Sequence, residues 1–122
     1  MREKSLVILI VCLSLMGCSQ YKEKSFYRDK LEDILGVKIP ETFIVLFYRS
    51  DGAIGGDYTD EFEVQFKKQD FDLVMHRLDT SKFETVAGKD ILYINRTTID
   101  DERISIIITK KKYRIQYCIA KL

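Results

Sequence analysis

From residue 25 onward the sequence predicts an α+β domain, with a mostly antiparallel sheet of about five strands and two helices in the order α-β-β-α-β-β-β. Three observations carry that expectation. Two segments repeat apolar residues at helical spacing, and five runs are alternating or β-rich. The last three of those runs follow one another across short polar turns, as in a meander.

The chain opens on a different kind of segment. Arg2, Glu3 and Lys4 are charged, residues 6–16 are apolar except for Ser14, and Gly17 and Cys18 follow directly. An apolar core of about 7 to 15 residues behind a charged start is a targeting pattern, whereas spanning the hydrocarbon takes roughly 20. Leu15, Met16, Gly17 and Cys18 resemble the lipobox of bacterial lipoproteins, matching well at the first, third and fourth positions.

That resemblance implies a thioether-linked diacylglyceride on Cys18, signal cleavage between Gly17 and Cys18, and acylation (palmitate, for example) of the new amino terminus. It places the protein in the bacterial cell envelope, held to the membrane through acyl chains on Cys18. In a Gram-negative cell Ser19, not being Asp, is similar to the residue that sorts lipoproteins to the outer membrane, facing the periplasm. One acyl chain binds a bilayer reversibly and two or three hold a protein there, at about 0.8 kcal/mol per buried methylene. The expected organisation is a signal peptide over 1–17, a lipidated tether over 18–24 and a single domain over 25–122.

Cleavage removes 17 of the 122 residues, leaving a length suited to one domain. Without Arg2, Glu3 and Lys4, the 20 basic and 19 acidic side chains become 18 of each. A near-neutral chain of interspersed signs lacks the basic surplus of a nucleic-acid binder, and no nucleic acid is expected as partner. Of three cysteines, Cys12 leaves with the signal and Cys18 carries lipid. Cys118 is left as a small apolar residue with no disulfide partner, so the domain must hold by packing.

The elements follow in order. Ser25 is placed to cap a helix with Tyr27, Leu31, Ile34 and Leu35 on one stripe, and Gly36 stands where a left-handed stop belongs, with Pro40 beyond. Residues 43–48 are apolar on both faces: Phe43, Val45 and Phe47 alternate with Ile44, Leu46 and Tyr48, which predicts a central strand. In residues 60–67 Phe62, Val64 and Phe66 alternate with polar residues, giving a strand with one wet face that pairs with its predecessor as a hairpin.

Asp70 is placed to cap a second helix, whose Phe71, Val74, Met75 and Leu78 fall at i, i+3, i+4 and i+7. Residues 91–98, 103–109 and 113–120 then read as three antiparallel strands, separated by Asp100-Asp101 and by the turn Lys110, Lys111, Lys112.

The residues with chemical potential are few. His76 is the single histidine and lies four residues after Asp72, within reach of an exposed i, i+4 contact, but no catalytic motif accompanies it. The stretch from 50 to 60 is rich in Gly and Asp and is a candidate ligand loop through Asp51, Asp57 and Asp60. Turn chemistry accounts for the same composition, and the spacing fits no EF-hand, so no metal or cofactor is expected. Lys110, Lys111, Lys112 and Arg114 gather positive charge that could meet lipid phosphates or an acidic partner, or discourage edge pairing of strands.

The most suggestive feature is the second face of the sheet, where alternation places Ile44, Leu46, Tyr48, Ile91, Tyr93, Ile107 and Cys118. Either a helix packs there or the face is a candidate interaction surface. The expected function is a non-enzymatic binding module, for instance for an envelope protein. Two alternatives stand beside it: a lipid-anchored hydrolase using carboxylates among Asp51, Asp57, Asp60 and Glu61, and a binder of a small apolar ligand between helix and sheet.

Overall fold

A computed structural model describes residues 21–52, 56–86, 88 and 90–121. Gly17, Cys18 and the rest of the segment expected to be a signal peptide lie outside the described residues. Among the described residues, two helices and a six-stranded sheet, antiparallel at every pairing, form one α+β unit. Among the described residues no helix is long and apolar enough to cross a membrane.

Helix α1 spans Lys24–Leu35. Its start falls one residue before Ser25, and its N-cap is Glu23, whose side chain makes no capping bond. Its end is as the sequence predicts: Gly36 adopts φ 71° and its N–H donates to the Glu32 carbonyl at 2.8 Å, a left-handed stop open to glycine. Tyr27, Leu31 and Ile34 form the buried stripe.

Strands β1 (Ile44–Gly52) and β2 (Tyr58–Gln65) make the expected hairpin. Because they extend to Gly52 and from Tyr58, the connection between them is residues 53–57, shorter than the run of Gly and Asp suggests. Helix α2 (Lys68–Arg77) buries Phe71 and Val74. Asp70 lies in its first turn rather than at the cap, which is Lys67, and its carboxylate accepts a hydrogen bond from the Thr42 hydroxyl. That bond ties α2 to the segment entering β1.

A short 3-10 turn, Thr80–Lys82, leads to β3 (Glu84–Val86), followed by β4 (Ile91–Thr97), β5 (Glu102–Thr109) and β6 (Arg114–Lys121). The last three form the predicted meander. β3 is a sixth strand beyond the five expected, a three-residue edge pairing with β4.

The sheet order is β1-β2-β6-β5-β4-β3, so β1 is an edge strand and not the central one its two apolar faces suggest. The reason lies in its register. Val45 stands opposite Val64, then Phe47 opposite Glu63, with Leu46 the extra residue of a bulge. A bulge inserts one residue and reverses the facing of everything after it. Phe43 and Val45 therefore face the core before the bulge, and Tyr48 faces it after, opposite buried Phe62.

Both helices contribute to a single core cluster with one face of the sheet. Tyr27, Leu31, Phe71 and Val74 join Phe62, Val64, Leu92, Ile104, Ile106, Ile108, Ile115 and Tyr117. Aromatic rings run through it: Tyr27 meets Phe62 edge-on at 4.9 Å, and Phe62 stacks on Tyr117 at 4.8 Å. Fully burying such side chains contributes about 1.5 to 3 kcal/mol each, and among the described residues the one cysteine, Cys118, is free, so this packing holds the described part of the domain.

Candidate functional site

With both helices on one face, the other is left open among the described residues. Its composition follows from the register. Across the middle run Phe47, Glu63, Gln116, Ile107, Tyr93 and Glu84, and toward the start of β1 run Ile44, Gln65, Arg114, Thr109, Ile91 and Val86. Toward the other end come Arg49, Glu61, Cys118, Ser105 and Asn95. The apolar members are separated by polar ones, so the face is mixed and its largest exposures are single residues: Ile44 at 57%, Val86 at 48% and Ile107 at 37%.

Local chemistry keeps these side chains in place. Arg49 pairs with Glu61 at 2.6 Å and lies 4.9 Å over the Phe47 ring, a cation–π contact. The Ser105 hydroxyl donates to Asn95 at 2.7 Å. Hydrogen bonding to the neighbouring Glu84 holds the Tyr93 phenol above its usual range. The Cys118 thiol is free, half-buried, and pushed up by burial first and by Glu61 and Asp60 second. A thiol held protonated is a poor nucleophile.

The residues expected on this face divide. Ile44, Ile91, Tyr93, Ile107 and Cys118 belong to it, and Leu46 sits in the bulge. Tyr48 does not: its ring packs 5.8 Å from Phe26 and 5.9 Å from Tyr27 on the helix side. Phe47 takes its place on the open face, and Val86 joins from the unexpected strand. One signal in the sequence points to the exchange. Strict alternation with Phe47 inward would also send Arg49 and Asp51 inward, and burying two charges is costly.

The candidate ligand loop separates as well. Asp51 stands opposite Thr59 and faces the open side, while Asp60 stands opposite Ser50 on the helix side and accepts a hydrogen bond from the Ser50 hydroxyl. Asp57 is exposed in the connection. Glu61, next to Asp60, points to the opposite face and is occupied by Arg49. Two catalytic carboxylates must flank one bond; Asp51 and Asp60 face opposite sides of the sheet. Among the described residues no three of His, Cys, Asp and Glu are grouped to hold a metal ion.

His76 is exposed, and its expected contact is taken: Asp72 accepts from Lys68 at 2.9 Å, four residues the other way. An open groove of about 560 Å³ lies on the outside of the helices, lined by Arg28, Glu32, Lys38, Ile39, Pro40, Glu41, Leu73 and Arg77. Four of its five charged side chains have partners among its own residues. Arg28 pairs with Glu41 at 2.9 Å, Glu32 accepts from the Ile39 N–H, and Arg77 donates to the Lys38 carbonyl. This groove is not a space between helix and sheet.

Charge is divided along the strand direction. The turn Lys110–Lys112 joins β5 and β6, two interior strands, so it guards no sheet edge. Lys67 and Lys68 lie at the same end, because the Phe66 N–H donates to the Tyr113 carbonyl at 2.9 Å and the Phe71 ring lies 5.5 Å from that of Tyr113. The opposite end carries Asp100, Asp101 and Glu102 around the fully exposed Ile99. The chain matches no family model, no curated protein and no solved structure.

Proposed function

We propose that this protein is a lipid-anchored component of the bacterial cell envelope that acts as a non-enzymatic binding module, using the open face of its sheet to engage another envelope protein. The observation that carries the proposal is that both helices pack on one face. Phe47, Ile107, Tyr93 and Ile91 are left on the other, set among polar neighbours. Non-obligate protein interfaces are about as apolar as ordinary surface, with aromatic residues enriched at their centres, and this face has that character. The lipobox-like residues at 15–18 supply the anchor of the proposal.

The hydrolase alternative would need two of its carboxylates around one bond: Asp51 and Asp60 face opposite sides of the sheet, and Glu61, which shares the open face with Asp51, is paired with Arg49. Crosslinking in intact cells followed by mass spectrometry tests the binding module. A reproducible protein partner is the expected result, and none under several growth conditions would count against it. The anchor has its own check: radioactive palmitate should label the chain, and Cys18→Ala should abolish the label and leave an unprocessed precursor. Persistent labelling of the variant would contradict lipidation at Cys18.

A further inference from the structure

The chain enters the domain beside β1, where the Phe26 and Tyr27 rings pack on Tyr48 at mid-strand, and Lys24 reaches from there toward the end of the sheet that bears the lysine turn. Lys24, the first residue of α1, places its Nζ 5.7 Å from the Phe43 ring, and Phe43 immediately precedes β1. From Ile44, at the start of β1, the register crosses Gln65 to Arg114, at the start of β6 beside the lysine turn. Two strand spacings, about 10 Å, separate the start of β1 from the basic turn.

Lys67, Lys68, Lys110, Lys111, Lys112 and Arg114 lie at this end; Asp72 and Asp90 pair with Lys68 and Lys111, Arg114 lies 4.0 Å from Glu63, and Asp70 and Glu41, bonded to Thr42 and Arg28, are the other carboxylates there among the described residues. The far end carries Asp51, Asp57, Asp60, Asp100, Asp101 and Glu102 against Arg96, Arg103 and Lys121. A near-neutral chain is thus polarised along its strands.

We propose that the lysine end docks on anionic lipid phosphates of the membrane that holds Cys18, so that the strands stand away from the bilayer and the acidic end points outward. The proposal rests on the anchor reading above. Only three residues separate Cys18 from Lys22, whose backbone N–H is bonded to the Tyr27 hydroxyl, so the point of entry is within about 13 to 14 Å of the lipid-bearing residue, close enough for either end of the sheet to reach the bilayer. Basic side chains next to an anionic leaflet are attracted over about a Debye length, and acidic ones are repelled. Docked this way, the open sheet face stands sideways to the membrane, accessible to a partner in the same envelope layer.

The test uses the full lipidated chain with a fluorescent amino acid in place of Gln69, at the lysine end, or Ile99, at the acidic end. Energy transfer to a lipid-borne acceptor is read in vesicles of pure phosphatidylcholine and in vesicles of about one-third phosphatidylglycerol. An eight-residue strand separates the ends by about 25 Å, enough for transfer to resolve them. Expected is at least about twofold stronger transfer from position 69 in anionic vesicles, collapsing in ~1 M salt, where the Debye length is ~3 Å.

Replacing Lys111→Glu together with Lys112→Glu should collapse the difference too, with the circular dichroism unchanged. Equal transfer from both positions in anionic vesicles, or stronger transfer from position 99, would overturn the docking while leaving the anchor intact. A chain that leaves neutral vesicles but keeps position 69 nearest in anionic ones would overturn the anchor and support the docking.

Discussion

The backbone N–H of Lys22 donates a hydrogen bond to the hydroxyl of Tyr27 at 2.8 Å, tying the segment before α1 to a side chain that is wholly buried. The Tyr27 ring lies in turn against Phe62 and Tyr48. Burial holds its phenol above the usual range even though the Lys22 bond works the other way. Tyr27→Phe keeps the ring packing and removes the acceptor. The expected loss is about 1 kcal/mol, a typical net value for one hydrogen bond, with faster amide exchange at Lys22. Unchanged exchange would mean the segment is not held there.

The bulge at Leu46 makes a second expectation, because it exchanges the roles of two adjacent aromatic residues. Tyr48→Ser should destabilise by about 2 to 4 kcal/mol, close to the cost of losing a core aromatic. Phe47→Ser, on the open face, should cost about 1 kcal/mol or less. Urea unfolding of the two variants decides it: the reverse order would place Phe47 in the core and remove the bulge.

How much of this was legible in the sequence follows from the same strand. Period-two alternation in residues 60–67, and helical spacing in Tyr27, Leu31 and Ile34 and in Phe71 and Val74, reported the buried faces correctly. A one-residue insertion leaves no trace in an apolar run such as residues 43–48, where either phase is hydrophobic; only the charges at Arg49 and Asp51 register the reversal. β3 is three residues, all exposed, too short to show a period. Asp70 resembled a cap in spacing but bonds to Thr42, a partner 28 residues away that no local pattern reveals. The open face was visible as an unmatched set of apolar residues, yet whether a helix covered it depended on long-range packing.

Within β5, adjacent isoleucines should differ sharply. Ile106 is fully buried and Ile107 is 37% exposed on the open face. Ile106→Ala should cost about 2 to 5 kcal/mol through lost burial and a cavity, whereas Ile107→Ala should stay within about 1 kcal/mol. Equal losses in thermal or urea unfolding would mean that the second face is covered after all.

Alkaline pH provides a test of the packing around Tyr117. This side chain is 3% exposed, stacked on Phe62, and its phenol is pushed up to about 12 from 10.0, by burial first and then by Glu102 and Asp60. The unfolded chain releases the phenolic proton near pH 10 while the folded one keeps it. Stability from this group is therefore complete below about pH 10 and falls as pH rises toward 12, by at most about 2 to 3 kcal/mol. Tyr117→Phe should flatten that part of the stability profile; an unchanged slope would locate the alkaline loss elsewhere.

The central claim, that the open sheet face is where an envelope partner binds, is tested most directly by site-resolved photocrosslinking in intact cells. A photoreactive amino acid is placed at Ile107 on the open face, and separately at Leu73, which is similarly exposed at 42% but on the helix side. A discrete crosslinked protein species from position 107 and none from position 73 is the expected result. No crosslink from 107, or the same species with equal yield from both positions, would contradict it.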